Sequence, residues 1–255
     1  MAEKILWAEH VSQHFGGLVA VDNVSMSLNK GEIVGIIGPN GAGKTTFFND
    51  ITGMYDPTEG EVFYRNKNIT GMKPYDVTRL GIARTFQNIR LFDRMTVIEN
   101  VMVGVHSKTN ANILDSMLRL KNHRSSELRA EEIALSVLDL VELSDYRYHY
   151  ATSLPYGMQR KLEIARAIAS DPEILLLDEP GAGMNESETN QLIEFIRQLR
   201  TMEYTILIIE HDMRVIMNIC DRIYVLDHGK LIAHGKPAEI QTNQDVIEAY
   251  LGKEH

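Results

Sequence analysis

A glycine-rich stretch between an apolar run and a helical pattern constrains this chain more than any other feature. Residues 38–45 read Gly-Pro-Asn-Gly-Ala-Gly-Lys-Thr and match the pattern G-x-x-x-x-G-K-[ST]. The apolar run Ile33–Ile37 before them has the length of a buried strand, and Thr45–Ile51 after them can begin a helix. Glycines let a loop adopt positive φ and wrap closely around a ligand. Its amides, with the N-terminus of the following helix, suit phosphate oxygens.

The pattern assigns an expected role to each residue of this phosphate-binding loop. We expect Lys44 to reach the β- and γ-phosphates of a bound nucleotide, and the Thr45 hydroxyl to be a ligand of Mg²⁺. A glycine-rich turn with a surface lysine is the alternative, and the flanking strand and helix patterns disfavour it. The expected nucleotide contacts in the loop are Gly38, Pro39, Asn40, Gly41, Ala42, Gly43, Lys44, Thr45 and Thr46.

A second apolar run, Ile174–Leu177, ends in two adjacent carboxylates. A carboxylate beside a bound phosphate is costly unless a metal ion lies between them, so we expect Asp178 to hold the Mg²⁺ shell. Glu179 is one residue further and can polarise the attacking water as a general base. Taken alone, such a pair is more often a surface strand end; the phosphate-binding loop is what makes it significant.

Short apolar runs alternate with helical patterns along the chain, which predicts an α/β fold with a mainly parallel sheet. Before about Lys30, Thr and Val mix with polar residues, as in an antiparallel β-layer. From about Met95 to Ser153 the chain lacks strand runs and is typical of an inserted helical subdomain; its polar part, Ser107–Ser126, predicts an exposed loop or loosely packed helix. The clearest helical segments are Ser126–Leu143, with Leu128 and Val137 on the apolar side, Gln159–Ala169 and Glu186–Met202.

Composition excludes several classes of protein. The chain has 255 residues and a net charge of −9, and an acidic surface disfavours nucleic acid as the main partner. Cys220 is the only cysteine, so no disulfide forms within the chain, and we expect a buried thiol. The N-terminus lacks the pattern of a signal peptide, and the apolar runs are too short to cross a bilayer. We therefore expect a soluble chain that reaches a membrane only through partners.

These motifs, in this order, resemble the ATPase subunits of ABC transporters over almost the whole chain. The resemblance implies a P-loop NTPase (RecA-like) core with an N-terminal antiparallel β-layer and an inserted helical subdomain. It implies one cassette over 1–255, with the core at about 1–94 and 159–255 and the helical subdomain, including the signature motif, at about 95–158. ATP and Mg²⁺ are the implied cofactors.

The family's other site residues are carried over by motif. Gln87, in Arg-Thr-Phe-Gln, matches the Q-loop glutamine, which senses Mg²⁺ and water and signals to the membrane subunit. Residues 181–185 occupy the D-loop, and His211 matches the switch histidine that contacts the γ-phosphate. Phe15 falls where the family places an aromatic ring against adenine, although Trp7 and His14 could compete for that role.

The signature motif departs from the family's L-S-G-G-Q. Residues 154–158 read Leu-Pro-Tyr-Gly-Met, so Pro155 stands in the serine position and supplies neither a hydroxyl nor an N–H. Gly157 and the following helix N-terminus remain as donors to the ATP of the opposite subunit. This substitution puts the strength of that contact in doubt, but not the fold.

The segment 84–101, the tyrosine–glycine pair of the signature and the ending 246–252 resemble the first of the two ATPase subunits of branched-chain amino acid importers. That architecture implies a nucleotide-sandwich dimer with a second ATPase subunit, two permeases and a substrate-binding protein, at the cytoplasmic face of the membrane. ATPases of urea or amide importers and of lipopolysaccharide export belong to the same wider group. A soluble ABC protein of DNA repair or translation, and a regulatory module that binds ATP without hydrolysis, are the remaining alternatives.

Overall fold

The computed structural model describes residues 3–106 and 121–251 and divides the chain into two compact units. The first unit comprises residues 1–77 and 174–255, and the second comprises residues 78–173. Most of the predicted polar segment Ser107–Ser126 lies outside the described residues. Among the described residues, no helix combines the length and apolar character needed to span a membrane.

The first unit contains the predicted antiparallel layer. Strands β1 (Lys4–Phe15), β2 (Leu18–Asn29), β4 (Glu59–Tyr64) and β5 (Lys67–Asn68) form one sheet in the order β2-β1-β4-β5. β1 pairs antiparallel with both β2 and β4. The hairpin between β1 and β2 is tight, and Phe15 pairs with Leu18. The ends of these two strands therefore lie together at the hairpin tip.

A second, mostly parallel sheet carries the phosphate-binding loop. Its strands in this unit are β3 (Ile33–Ile37), β7 (Ile174–Asp178), β8 (Thr205–Ile209), β9 (Arg222–Asp227) and β10 (Lys230–Gly235). They lie side by side in the order β10-β9-β3-β8-β7, with only β10 antiparallel to its neighbour. Every residue of β3, β7 and β8 is buried, as continuous apolar runs predict for strands covered on both faces. The carboxyl ends of the parallel strands meet at one edge.

The helices of the first unit follow the predicted pattern. They are α1 (Lys44–Ile51), α6 (Glu186–Thr201), α7 (Met213–Ile219), α8 (Pro237–Gln241) and α9 (Gln244–Leu251), while α2 (Pro74–Arg79) carries the chain into the second unit. α6 begins at a reciprocal capping box, in which Asn185 accepts from the Glu188 amide and Glu188 accepts from the Asn185 amide. Cys220 is free and buried beside α7, as expected.

The second unit contains β6 (Ile82–Arg84) and three main helices, α3 (Val97–His106), α4 (Lys121–Leu140) and α5 (Tyr156–Ala169), with 3₁₀ turns at Ser144–Tyr146 and Ala151–Ser153. The helical character predicted from the sequence is confirmed. Val137 of α4 is buried as predicted, but Leu128 is 55% exposed, while Ala130, Ala134 and Leu138 are buried. Only the prediction for Leu128 is therefore wrong among the two apolar positions named above.

The limits of the second unit are wider than the expected 95–158. A Cβ atom on Gly104 of α3 would lie 2.1 Å from the Arg166 carbonyl oxygen, so α3 and α5 approach each other backbone to backbone far beyond residue 159. The whole of α5 thus packs within this unit. Its N-terminal limit also extends to Thr78, which brings β6 and the Gln87 segment into it.

One carboxylic acid in the core of the first unit makes stability depend on pH. Burial raises the pKa of Asp50, on α1, to about 7. With its amide oriented to donate, the Gln13 side chain lies 3.2 Å from Asp50 Oδ1. Because the folded state then holds a proton that the unfolded state releases near pH 4, the free energy of unfolding falls as pH rises from about 4 to 7.

We therefore expect Asp50→Asn to be more stable than the wild type above pH 7, by on the order of 2 kcal/mol. The difference should shrink as pH falls toward 5, where Asp50 is protonated in the folded state. Urea unfolding of both chains between pH 5 and 8 measures this. Asp93→Asn, at an exposed aspartate, is the matched control; a gain in the D50N variant that is equal at all pH values would contradict the prediction.

Candidate nucleotide-binding site

The phosphate-binding loop joins β3 to α1 and is held by close backbone contacts on two sides. Gly38 has φ 151°, and a Cβ atom there would lie 2.0 Å from the Leu226 carbonyl oxygen at the end of β9. Gly43 has φ 94°, and its Cβ would lie 2.3 Å from the Ala20 carbonyl oxygen of β2. Any larger residue would clash with backbone at these two positions. Both glycines are thus fixed by neighbouring strands as well as by their positive φ.

Lys44 lies at the centre of this loop and is 7% exposed. Its Nζ donates to the Gly38 carbonyl at 2.8 Å and to the Pro39 carbonyl at 2.9 Å. Burial lowers the pKa of Lys44, and the charge of Glu179 opposes that effect. The lysine stands at the first residue of α1, and Gly43 before it provides no side-chain cap. The amides of the first helical turn have no acceptors within the helix, so they can bind phosphate oxygens together with the amides of the loop.

An open cavity of about 440 Å³ lies against the loop. One wall is the loop and the first turn of α1, from Gly41 to Thr46, and the other is Leu18–Ala20 with His228 and Gly229. Leu18 and Val19 are 65% and 47% exposed, so the cavity offers apolar surface beside a phosphate-binding loop. This combination suits a nucleotide, which has an apolar base and charged phosphates.

Of the three residues considered for the adenine contact, Phe15 and His14 lie at the hairpin tip, and Trp7 lies further along β1. Phe15 is 42% exposed, and it packs edge-on against Tyr55 with ring centroids 5.3 Å apart. Trp7 instead stacks on Phe63 at 5.2 Å, with the Lys4 Nζ 4.3 Å from its ring centroid. Phe15 pairs with Leu18 and His14 pairs with Val19, and both partners line the cavity, so the adenine contact at Phe15 stays a prediction.

Asp178 and Glu179 emerge at the carboxyl end of β7, as the sequence predicts. Asp178 is 2% exposed. Glu179 has φ 46°, an uncommon backbone conformation for a glutamate that is typical of functional sites. Its amide donates to the Ile209 carbonyl at 2.9 Å, which fixes this conformation. Glu179 Oε2 lies 3.7 Å from Nδ1 of His211, so the structure brings the expected base and switch histidine together.

Glu210 is a residue of this site that sequence reasoning missed. Its carboxylate is fully buried and accepts hydrogen bonds from the amides of Gly181, His211 and Asp212, at 2.5, 3.0 and 3.4 Å. Burial raises the pKa of Glu210, and these amides and the His211 charge oppose the shift. One side chain thus ties the turn after Glu179 to the histidine. The apolar run before it gave no signal of this role, because Glu210 simply follows a buried strand.

The few side-chain oxygens at this site suit Mg²⁺, which needs fewer protein ligands than a metal ion held by protein groups alone. Thr45 offers a hydroxyl, and Asp178 offers a carboxylate, and both are hard donors. No group of three or more His, Cys, Asp and Glu among the described residues could hold a metal ion. Mg²⁺ is commonly bound through one or two protein oxygens, with water and substrate phosphates completing the shell. The residues therefore fit a magnesium ion that arrives with ATP.

The second unit holds Gln87 and Gly157. Gln87 is exposed and follows Phe86, whose ring lies 5.4 Å from the Arg84 guanidinium and 4.4 Å from that of Arg90. Gly157 lies in the first turn of α5, which begins at Tyr156 with Pro155 as its N-cap and no side-chain cap. The substitution of the signature serine therefore falls at the helix position where a hydroxyl would cap the first turn.

Comparison with known proteins agrees with this architecture. Residues 21–182 match the family model described as "ABC transporter", and residues 230–255 match "Branched-chain amino acid ATP-binding cassette transporter". The chain is 46% identical to the high-affinity branched-chain amino acid transport ATP-binding protein LivG of Salmonella typhimurium, covering 99% of this chain and 100% of that one. It is 36% identical to a probable LivG of Archaeoglobus fulgidus, over 98% and 96% of the two chains.

Solved structures give the same result. A nucleotide-free ATP-binding cassette from an ABC transporter superposes with a TM-score of 0.85 at 34% identity, covering 98% of this chain and 100% of that one. A dimeric bacterial ABC transporter cassette superposes with a TM-score of 0.77 at 26% identity, over 91% and 99%. The predicted fold class is confirmed by these structures. The chain belongs to the ATP-binding, ATP-hydrolysing subunits of ABC transporters.

Proposed function

We propose that this ATPase powers the uptake of branched-chain amino acids, with Mg-ATP bound at the loop 38–46. The observation that carries the substrate class is the identity of 46% over 99% of the chain to a branched-chain amino acid transport protein. The match of residues 230–255 to the family model described as "Branched-chain amino acid ATP-binding cassette transporter" also supports it.

The chemistry we propose uses residues of the first unit at the γ-phosphate. Lys44 neutralises phosphate charge, and Thr45 and Asp178 would hold Mg²⁺, which supplies further charge neutralisation when bound. Glu179 accepts a proton from the attacking water, because its carboxylate is held beside His211 and its backbone is fixed by Ile209. His211 contacts the γ-phosphate, and Phe15 packs on adenine.

The assembly we propose has two ATPase subunits, two permeases and a substrate-binding protein, with this chain at the cytoplasmic face of the membrane. Gln87 and residues 88–101 meet a permease, and Gly157 faces the ATP of the opposite ATPase subunit. The support is the motif order in this chain and the dimeric form of a related cassette. Because one chain carries one loop and one signature motif, two ATPase subunits are needed to complete each site.

Transport by the reconstituted complex tests this proposal. The candidate permeases, second ATPase and binding protein would be co-expressed with this chain, and the complex would be purified through this subunit and placed in liposomes. We expect ATP-dependent uptake of leucine, isoleucine and valine, and none of urea. Co-purification without a permease would contradict the proposed assembly, and ATP hydrolysis that no branched-chain amino acid stimulates would contradict the assigned substrate.

Unequal ATP sites follow from Pro155 if the partner ATPase subunit has an ordinary signature motif. ATP on the partner's loop meets this chain's signature, where the hydroxyl is missing, and a lost donor to a charged group costs roughly 1.5–3 kcal/mol. We therefore expect Pro155→Ser to raise hydrolysis at the partner's site by about tenfold to a hundredfold. The measurement is single-site ATPase activity with the other site disabled at its own loop lysine. Equal rates at both sites, unchanged by the substitution, would show that the helix N-terminus after Gly157 compensates fully.

A further inference from the structure

The second unit contains a completely buried ion pair that the roles proposed above do not use. The Arg160 side chain is 0% exposed and that of Glu163 is 1% exposed, and Arg160 Nη1 lies 2.7 Å from Glu163 Oε2. The two residues are one turn apart on α5, the helix that begins at the signature motif. Charged side chains are rarely buried so fully unless paired, so the other contacts of this pair are informative.

The remaining hydrogen bonds of the pair go to the backbone around Gln87. Arg160 Nη1 donates to the Phe86 carbonyl at 2.7 Å, and Nη2 donates to the Gln87 carbonyl at 2.6 Å. Glu163 Oε1 accepts from the Arg90 amide at 3.2 Å. The pair therefore binds the segment 86–90 at three backbone groups, which are the carbonyls of Phe86 and Gln87 and the amide of Arg90.

This arrangement resists separation of the segment from α5. Pulling residues 86–90 away would leave a guanidinium and a carboxylate buried without full compensation, which is strongly unfavourable. Because two nitrogens of the planar guanidinium bind two successive carbonyls, Arg160 fixes the orientation of the segment as well as its distance from α5. The Gln87 residue is exposed, and the hydrogen bond from Arg160 restrains its backbone carbonyl.

We propose that Arg160 and Glu163 are positioning residues that lock the Gln87 segment to the signature helix, so that the two move as one body during turnover. The inference rests on the roles proposed for Gln87 and Gly157. A permease that displaces residues 88–92 would then displace the signature motif with them, because α5 carries both the lock and the motif. The lock works within one subunit and touches neither ATP nor the attacking water.

Amide hydrogen exchange tests the lock itself, on the isolated chain without nucleotide. We expect Arg160→Met/Glu163→Met to increase exchange in residues 86–92 about tenfold or more, because the Arg90 amide loses its acceptor and the segment loses its anchor. An apolar pair often replaces a buried ion pair without loss of stability, so this variant should fold. Arg160→Lys, which retains the charge but not the planar guanidinium, should give a smaller increase.

Lys161→Gln is the matched control. Lys161 is the next residue of the same helix and pairs with the exposed Glu142 at 3.1 Å, away from Gln87. This variant removes an ion pair from α5 without touching the segment, and its exchange in residues 86–92 should equal that of the wild type. Exchange in the methionine double variant equal to that of the wild type would overturn the lock.

Steady-state ATP hydrolysis by the assembled transporter tests the consequence. We expect Arg160→Lys and the double variant to lower kcat about tenfold or more while the KM for ATP changes less than about threefold, because the loop around Lys44 is untouched. A role limited to stability would lower the amount of active complex, which nucleotide-binding titration counts, and would leave kcat per bound ATP unchanged. An unchanged kcat per bound ATP, despite faster exchange, would overturn the coupling.

These outcomes are distinct from failure of the proposed function. The exchange measurement needs neither ATP nor a permease, and kcat needs no knowledge of the transported substrate. A wild-type complex that fails to transport branched-chain amino acids would remove the substrate assignment and leave the lock in place.

Discussion

Glu179→Gln is expected to reduce the steady-state rate of ATP hydrolysis by about a hundredfold to ten-thousandfold, the range for a lost general base. Glutamine has nearly the shape of glutamate but lacks its charge and basicity. ATP binding should therefore persist, and the variant should accumulate as a closed dimer with ATP trapped between the subunits. The backbone of Glu179, with φ 46°, is held by the hydrogen bond that its amide donates to the Ile209 carbonyl, and glutamine retains this amide.

Hydrolysis by the assembled complex and size-exclusion chromatography with ATP measure the two effects. Glu186→Gln is the matched control, since Glu186 is an exposed glutamate that pairs with Arg214. Multiple-turnover hydrolysis by the E179Q variant at the wild-type rate would exclude Glu179 as the base. Loss of ATP binding in the same variant would show that the carboxylate acts on the fold of the site and not on the water.

Lys44→Met should weaken ATP binding about thirtyfold or more and abolish measurable hydrolysis. Loss of the nearly buried Lys44 ammonium would leave the phosphates without their charged partner. Truncating one member of a buried charge pair costs roughly 2–5 kcal/mol. Methionine retains most of the length of the side chain, so the packing around Gly38 and Pro39 should survive. Their carbonyls lose a donor, and because the bond to the Gly38 carbonyl is buried we expect some loss of stability beside the weaker binding.

Titration with a fluorescent ATP analogue, together with thermal unfolding, separates binding from folding in this variant. Lys230→Met serves as the control, because Lys230 is an exposed lysine of the same unit that pairs with Asp22 at 3.3 Å. An affinity within about threefold of the wild type would place the phosphate contact elsewhere. A lowered melting temperature that accounts for the lost binding would mean that Lys44 is needed mainly for the loop.

The parts of the site that were predictable from the sequence depend on local patterns. Ile33–Ile37 is confirmed as a buried strand because a short apolar run followed by a glycine loop has few other solutions. The positions of Asp178 and Glu179 were also predictable from a local pattern, because Asp178 ends one strand and Glu179 follows it directly. The prediction that Leu128 is buried was wrong, because periodicity identifies an apolar stripe but not which neighbouring segments are close enough to cover it.

The parts that could not be predicted depend on contacts between distant segments. Arg160 reads as a polar position on a helix, and only the approach of residues 86–90 makes it a buried anchor. Gly104 reads as a helix-weakening residue until the Arg166 carbonyl lies against it. Glu210 and Asp50 likewise acquire their raised pKa values from burial that no local pattern specifies.

The strand order around the phosphate-binding loop has a consequence for synthesis of the chain. β3 emerges early from a ribosome, but its two neighbours in the sheet come from the last third of the sequence, where Ile33 pairs with Ile206 and Val34 with Arg222. Gly38 also requires the Leu226 carbonyl against it. The nascent chain therefore carries an unpaired, wholly apolar strand for most of its translation, and such a strand is prone to aggregate. We expect that ATP cannot help this protein fold until nearly all of the chain has been made, and that release of truncated chains leads to aggregation.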